Sequence, residues 1–241
     1  MLKLEKALVF DIWSEYAHFK KYYTTTSPLT YAIPSKTSIY GIIGSIIGLD
    51  KNSYLNYFQE GACKIGLQIL NPVKKTRISI NLIDTKKANL MSKIRSRTQI
   101  RTEFLKDAKY RVYIRHTDNN VYDELKKNLE NHTSTYTVSL GLSECLANFN
   151  YLGEFPLECV FNNKEWVNVS SAVRIDGENI KKEDIDFTKN GEYFSDKVAI
   201  EMKPNREVTD YGTIVYERNG NLLRVKPSDY YRINQTNIVL F

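Results

Sequence analysis

Apolar residues recur along the first part of the chain with two different spacings, and each spacing predicts a different element. Residues 7–13 (ALVFDIW) are apolar apart from Asp11 and predict a buried strand. After Pro34, isoleucines recur at intervals of three and four residues, which predicts a helix with one apolar face. They are Ile39, Ile42, Ile43, Ile46 and Ile47. Ser35 precedes this helix and is a favourable N-cap residue.

The same helix carries a second stripe made of small residues: Gly41, Gly44, Ser45 and Gly48. Each glycine inside a helix costs ~1 kcal/mol relative to alanine. Something must therefore approach this face closely to offset that cost. Two interpretations are open at this point, close packing on the protein's own sheet and contact with a partner molecule.

Four strand-like runs and a second helix follow. The runs are residues 63–70, 76–83, 98–105 and 110–116. Residues 121–129 (VYDELKKNL) predict an amphipathic helix, and residues 54–59 predict a short one before the first run. From Trp166 onward, short strand patterns dominate, and Asn219-Gly220-Asn221 predicts a hairpin turn.

This order of elements predicts an α+β protein. Residues 1–160 give strand, helix, strand, strand, helix, strand, the order of a ferredoxin-like, RRM-type domain. A long basic hairpin, or thumb, would be inserted at about residues 74–109. Residues 161–241 predict a small β-rich subdomain.

Positive charge is concentrated in the middle of the chain. The 241 residues carry a formal net charge of +6, with a sequence pI of about 9.0. Residues 71–115 alone hold thirteen lysines and arginines against Asp84, Glu103 and Asp107, so this segment is +10. A solvated surface usually mixes both signs, whereas this block does not. The distribution therefore favours a polyanionic partner.

Several classes of protein are disfavoured. The three cysteines are widely separated with no CxxC pair, so no metal site or disulfide framework is expected. No Gly-rich nucleotide loop appears, so no cofactor is expected. The longest apolar run, residues 39–49, is far shorter than the ~20 residues of a membrane span. No secretory signal is evident, so the interpretation is a cytoplasmic protein without a membrane partner.

Three segments resemble a known family. Residues 10–49 (FDIWSEYAHFKKYYTTTSPLTYAIPSKTSIYGIIGSIIGL) resemble the N-terminus of the CRISPR-associated Cas-five family, especially its type I-B members. Residues 97–115 (RTQIRTEFLKDAKYRVYIR) resemble its central strand pair, and residues 141–144 (GLSE) resemble its Leu-Gly-Leu-Ser-Glu segment. The resemblance covers about 155 residues. The C-terminal third is similar only in general character.

The resemblance implies an RNA-binding subunit of the type I CRISPR surveillance complex Cascade, which acts in antiviral defence. Such a subunit holds the 5′ handle of the guide RNA (crRNA). It contacts the backbone-forming Cas-seven subunit and the large Cas-eight subunit, and possible target DNA contact is left open. The thumb of the family folds over the RNA, and the matching segment here is the basic one.

A single-stranded handle needs cations for its phosphates and aromatic faces for its bases. Residues 16–23 interleave both, and the start of the predicted helix offers backbone N–H groups to a phosphate, with plain capping as the alternative. The chain lacks an RNP1-type pattern, so binding on an open sheet is not expected. The RNA-binding residues predicted are His18, Lys20, Lys21, Tyr22, Tyr23, Ser35, Lys36, Lys93, Arg95, Arg97, Arg101 and Lys106.

An alternative is metal-independent cleavage of precursor guide RNA. The type I-C branch of the family cuts RNA with a Tyr, a Lys and an adjacent His. Here the alternative catalytic set would be Tyr40, Lys106 and His116. Asp107 stands where the adjacent His would be wanted, and an ionised carboxylate cannot donate a proton. We therefore expect a subunit that is not an enzyme.

Overall fold

The structure is a computed structural model that describes residues 5–83 and 97–241. It is mostly β, with 46% strand and 14% helix and a curled sheet. The strands of the first part are β1 (Lys6–Ala17), β2 (Phe19–Lys20), β3 (Thr30–Tyr31), β4 (Cys63–Ile69), β5 (Lys74–Ile83), β6 (Arg97–His116) and β7 (Asn148–Pro156). The helices are α1 (Lys36–Ile47) and α2 (Asn119–Glu130), with a short 3-10 helix at Tyr54–Tyr57.

The main sheet has the strand order β4-β6-β1-β7, and every neighbouring pair is antiparallel. The predicted chain order of strands and helices is therefore observed for β1, α1, β4, β6, α2 and β7. Apolar side chains of the sheet form one core cluster with the buried residues of both helices. They include Leu8, Phe10, Ile12, Val112 and Ile114 from the sheet, and Ile39, Ile43 and Leu125 from the helices.

Helix α1 forms as its sequence predicts. The Ser35 hydroxyl accepts a hydrogen bond from the Ser38 backbone N–H at 3.1 Å, and Gly48 ends the helix in the left-handed conformation with φ 79°. The small-residue stripe is covered at one glycine and open at another. Gly44 lies against Tyr54, whereas a Cβ on Gly41 would face open space in a cavity of about 440 Å³.

The strands of the second part pack against both sides of the main sheet. They are β8 (Glu158–Val160), β9 (Val167–Val169), β10 (Val173–Arg174), β11 (Tyr193–Met202), β12 (Val208–Glu217), β13 (Leu223–Val225), β14 (Tyr230–Ile233) and β15 (Thr236–Ile238). Tyr231 and Ile233 pack with Ala7 and Val9 of β1. Four side chains of β11 and β12 also join the core under the helices, so residues 1–160 and 161–241 share one core.

The predicted hairpin at residues 219–221 is wrong. A turn is present, but β13 pairs with β9, through Leu223 opposite Val169, and not with β12. The Glu217 carboxylate accepts hydrogen bonds from the backbone N–H groups of Asn219 and Asn221, each at 2.8 Å. These hydrogen bonds close the turn locally and redirect the chain.

Among the described residues, neither α1 nor α2 could span a bilayer, since each has only 12 residues.

Candidate nucleic-acid interface

The basic segment forms a two-stranded arm, which we define as β5 together with residues 97–106 of β6. The two strands pair antiparallel without interruption, from Lys74 opposite Lys106 to Ile83 opposite Arg97. Residue Asp107 marks the base of the arm, because it has φ 53° and interrupts the regular strand geometry. The predicted hairpin is therefore observed, although its central residues 84–96 lie outside the described part of the chain.

The pairing register gives the arm two chemically different faces, because cross-strand partners share a face and neighbours along a strand alternate. The cationic face holds Lys75, Arg77, Arg97, Arg101 and Glu103 with polar Ser79, Asn81 and Gln99, and with Leu105 and Ile83 at its two ends. The apolar face holds Ile78, Ile80, Leu82, Ile100 and Phe104 with threonines 76, 98 and 102. Lys74 and Lys106, the latter a predicted RNA-binding residue, lie on this second face at the base of the arm. Ile78 and Leu82 are 37% and 48% exposed.

Most cations of the arm have no carboxylate partner. Lys75 pairs with Glu103 at 3.0 Å. No carboxylate of the described residues lies within 4 Å of the other arm cations, which are Lys74, Arg77, Arg97, Arg101 and Lys106. All five are exposed. The arm therefore presents positive charge that the described part of the protein does not neutralise.

The cations on the sheet side of Asp107 behave differently. Arg111 pairs with Asp11 at 2.7 Å, and Arg115 pairs with Glu5 at 2.6 Å. Hydrogen bonding to Asp11 is the main reason why the pKa of Arg111 is raised. Lys109 lies over the Trp13 ring, 5.5 Å from its centroid. The cationic block seen in the sequence thus divides into five arm cations without a carboxylate partner among the described residues and two sheet arginines, Arg111 and Arg115, that are ion-paired.

The segment between β1 and α1, here called the aromatic loop (residues 18–31), lies against the base of the arm. Glu103 joins the two, since its backbone N–H donates to the Pro28 carbonyl at 2.9 Å and its carboxylate accepts from the Thr30 N–H at 3.2 Å. The Lys75 ammonium also donates to the Thr30 carbonyl at 2.8 Å. Residues 28–30 of the aromatic loop are therefore anchored to the base of the arm.

Within the aromatic loop, the predicted residues differ in exposure. Tyr22 and Tyr23 are 63% and 60% exposed, and Lys20 is exposed. Lys21 is instead paired with Asp196 of β11 at 2.7 Å, and hydrogen bonding and charge from Asp196 raise its pKa although burial alone would lower it. Three of the five predicted loop residues thus face solvent.

His18, which the sequence predicts as an RNA-binding residue, is buried in this structure. Its ring is 3% exposed, its Nδ1 lies 2.7 Å from the Glu103 carbonyl oxygen, and it packs on Phe104. Gly141 of the Gly-Leu-Ser-Glu segment lies directly behind it with φ 96°, where a Cβ would overlap the His18 carbonyl oxygen. This segment therefore packs directly against the start of the aromatic loop.

The start of α1 is also occupied by internal contacts. The Ser35 hydroxyl caps the helix and hydrogen bonds with Thr37 and Ser38. The Lys36 ammonium is buried and paired with Glu201 of β11 at 2.6 Å. Of the two interpretations of this helix start, the geometry favours capping, and Lys36 is not free to contact a phosphate.

The alternative catalytic residues do not form one site. Tyr40 is fully buried and stacks on Phe58, and burial raises its pKa far above the ordinary tyrosine value. His116 is also buried, and burial lowers its pKa. Lys106 lies ten residues from His116 along β6, on the order of 30 Å away. The three groups therefore cannot act on the same bond.

The remaining sequence predictions have mixed outcomes. Lys93 and Arg95 lie outside the described residues. Within residues 5–83 and 97–241, no group of three or more His, Cys, Asp and Glu side chains is arranged to hold a metal ion. Sequence reasoning did not select Arg77, which lies on the cationic face, Tyr211, which contacts Tyr22, or Lys197, which lies over the Tyr211 ring. Of these three residues, only Arg77 had a sequence feature that could have identified it, because it belongs to the basic block of residues 71–115.

The family model described as CRISPR-associated protein (Cas_Cas5) matches residues 7–210. The chain belongs to the CRISPR-associated Cas-five family. The family match extends past β1, the arm and α2 into β12, so it includes both parts of the shared core. No curated protein matches this Cas-five chain.

Solved structures resemble this Cas-five protein in fold. A CRISPR protein from Archaeoglobus fulgidus superposes with a TM-score of 0.55 at 12% identity, covering 97% of each chain. A chain of a CRISPR RNA-guided surveillance complex superposes with a TM-score of 0.50 at 9% identity, covering 92% of this chain and 90% of the other. At such low identity, the likeness concerns the fold alone.

Proposed function

We propose that this Cas-five protein is the subunit of a type I CRISPR effector complex, Cascade, that binds the 5′ handle of the guide RNA. The observation that carries the proposal is the cationic face of the arm, where Arg77, Arg97 and Arg101 are exposed. Unpaired cations on a projecting ribbon attract phosphates, because binding releases the condensed counterions of the RNA. The family to which the chain belongs supports a CRISPR effector role.

The aromatic loop supplies the second kind of contact that an unpaired strand needs. Tyr22 and Tyr23 of this loop are exposed, and exposed aromatic rings stack unpaired bases irrespective of sequence. Phosphates on the arm and bases on the loop would then clasp the handle from two sides. Both contacts are made at the curled edge of the sheet, which we infer to be a ferredoxin-like scaffold.

The apolar face of the arm suits a protein partner. Ile78, Ile80, Leu82 and Ile100 lie together on it, and a projecting apolar strip of this kind marks an interaction site. In the proposed complex it would pack on the backbone (Cas-seven type) or the large (Cas-eight type) subunit. Any contact of this protein with target DNA would then occur where it meets the large subunit.

The proposal is for a binding subunit without nuclease activity. The burial of Tyr40 and His116, and the separation of Lys106 from His116 along β6, support binding over cleavage by this set of residues. Incubation of the purified protein with repeat-derived RNA in EDTA should leave the RNA intact. Specific cleavage that disappears in a folded Lys106→Ala variant would instead establish the endoribonuclease.

Charge reversal on the arm tests the binding proposal. We expect Arg97→Glu with Arg101→Glu to weaken binding of repeat-derived RNA by at least tenfold, measured by filter binding at several salt concentrations. The slope of log affinity against log salt should also become shallower by ~0.7 for each phosphate of the single strand that the variant no longer neutralises.

The matched control is the pair Lys127→Glu and Lys189→Glu, two exposed lysines away from the arm. This variant has the same change in net charge, so it should bind almost as the parent does. Equal losses of affinity in both variants, or a parent slope that corresponds to less than about one neutralised phosphate, would contradict the proposal.

A further inference from the structure

Exposed tyrosines from two distant parts of the chain meet on the surface of the folded protein. The Tyr22 ring lies 5.2 Å from the Tyr23 ring at 89° and 5.5 Å from the Tyr211 ring at 51°, measured between centroids. Tyr211 belongs to β12 and is 37% exposed. We call Tyr22, Tyr23 and Tyr211 the tyrosine platform.

The platform rests on a fixed support. The Lys21 ammonium pairs with Asp196 of β11, and both side chains are nearly buried, at 15% and 10% exposed. The second oxygen of Asp196 accepts from the Tyr216 hydroxyl at 2.8 Å, and Lys21 lies over the Tyr31 ring at 5.1 Å. The residue that precedes Tyr22 is thus tied to the strand that neighbours Tyr211. Because the rings are held in place, their exposure is a property of the folded chain.

The charge around the platform identifies the class of partner. Lys197 lies 6.0 Å from the centroid of the Tyr211 ring, and the exposed Lys20 lines a small cavity together with Tyr22 and Tyr211. Neither lysine has a carboxylate of the described residues within 4 Å. Aromatic faces flanked by free cations complement a strand that offers planar bases and phosphates together.

The size of the adjoining cavity narrows the ligand further. Tyr22 and Tyr211 line a cavity of about 140 Å³ with Tyr31, Ser38 of α1 and Val208. Drug-sized ligands and cofactors occupy sites of about 300 to 1,000 Å³. This cavity is too small for such a ligand and suits a single planar group inserted edge-on. Tyr31 and Ser38 are among the polar residues that line it.

We propose that the tyrosine platform is a stacking site for one unpaired base of the bound RNA, completed by Tyr211 and Lys197 from the C-terminal part of the chain. This inference rests on the proposed function, since it names a base-binding subsite of the same interface. It assigns residues 161–241 a direct part in RNA binding. The arm then holds the strand by its phosphates, while the platform fixes the position of one nucleotide.

Binding of repeat-derived RNA by Tyr211→Ala and Tyr211→Phe tests this site. We expect Tyr211→Ala to weaken binding about tenfold, within the range that alanine substitution gives for one stacked base. The salt slope should remain that of the parent, because the same phosphates are still neutralised. Tyr211→Phe keeps the ring and should bind within about twofold of the parent. Tyr57→Ala, which removes an exposed tyrosine elsewhere, is the matched control.

A set of RNAs with one abasic position each should locate the stacked base. At one position, removal of the base should weaken binding by the parent and have no further effect on Tyr211→Ala. Photocrosslinking needs no variant and covers the case in which Tyr211→Ala fails to fold. RNA carrying 5-iodouridine should crosslink to the tryptic peptides 22–36 or 207–218, which contain the platform tyrosines.

The outcomes separate the two proposals. If Tyr211→Ala binds RNA as the parent does while reversal of Arg97 and Arg101 abolishes binding, the platform inference is overturned and the proposed function stands. If the parent shows no salt-dependent RNA binding, both are overturned. If Tyr211→Ala retains RNA affinity but no longer assembles with the other complex subunits, the platform is a protein-docking surface, and the inference is likewise overturned.

Discussion

The arm and the start of α1 both contain basic residues that the sequence assigns to RNA, yet the fold uses them differently. On the arm, Arg97 and Arg101 project from a ribbon that the rest of the described chain does not cover. At the helix start, Lys36 is buried and paired with Glu201 at 2.6 Å. A cation can therefore serve a partner only where no carboxylate of its own chain reaches it. A lysine that is paired with such a carboxylate instead links two parts of the fold, as Lys36 links α1 to β11.

The largest expected effect comes from breaking the Lys36–Glu201 pair. Lys36→Ala leaves the Glu201 carboxylate, 14% exposed, without its partner, and such a change costs about 3 to 5 kcal/mol of unfolding free energy. Urea denaturation measures it. Arg101→Ala should change stability by less than about 0.5 kcal/mol, since this side chain is exposed and no carboxylate of residues 5–83 and 97–241 pairs with it.

The double variant Lys36→Met with Glu201→Leu provides the control for that prediction. Replacing both charges by apolar groups of similar size is often neutral, so most of the stability should return. If the unfolding free energy of Lys36→Ala falls by less than about 1 kcal/mol, Glu201 reaches water in that variant. The contrast between the start of α1 and the arm would then weaken.

A smaller effect is expected from Gly141, which supports the aromatic loop. Gly141→Ala places a Cβ in a conformation with φ 96° and against the His18 carbonyl oxygen. We expect stability to fall by about 2 to 3 kcal/mol. That corresponds to a Tm lower by roughly 4 to 12 °C in a chain of this size. Differential scanning calorimetry measures it, together with weaker RNA binding through the displaced loop.

Gly41→Ala is the matched substitution at a glycine that no other described part of the chain approaches. Its Cβ would meet nothing within 4 Å, so only the backbone effect remains. Alanine should raise stability by about 0.5 to 1 kcal/mol. Similar decreases in stability at both glycines would show that the space beside Gly41 is not open.

The smallest expected effect is a pH dependence from His116, at the end of β6 away from the arm. Its Nδ1 accepts from the Asp118 N–H at 3.0 Å, so Nε2 carries the proton donated to the Tyr57 carbonyl at 2.8 Å. Burial lowers the pKa of this ring below its ordinary value of 6.5. The unfolded chain therefore binds a proton more readily than the folded one, and stability falls as the pH drops below about 6.5.

Urea unfolding at pH 7.5 and pH 5.5 measures this decrease in stability. In His116→Gln the difference between the two pH values should shrink, because the titrating group is absent, although the variant is less stable at both. An unchanged difference would assign the pH dependence to another group. RNA binding by the arm should keep the same salt slope in both proteins at pH 7.5, since His116 lies at the opposite end of β6.

Residue patterns predicted most of the first part of the fold. The isoleucine spacing predicted α1, Ser35 predicted its cap, and the alternation in residues 76–83 predicted one strand of the arm. These features are local, because helix and strand periodicities require only that neighbouring residues share a face. The turn at 219–221 was predicted with the wrong partner, because the pairing of β13 with β9 joins residues more than fifty positions apart.

The same distinction between local pattern and long-range contact applies to the candidate site. The amino-acid sequence by itself determined that a basic, projecting ribbon and an aromatic loop exist, since charge density and strand alternation are read directly from neighbouring residues. Only the tertiary structure decided which cations stay free, because Asp196 and Glu201 reach Lys21 and Lys36 across more than 160 residues. It likewise brought Tyr211 to Tyr22. Long-range packing fixes such contacts, and no spacing along the chain encodes them.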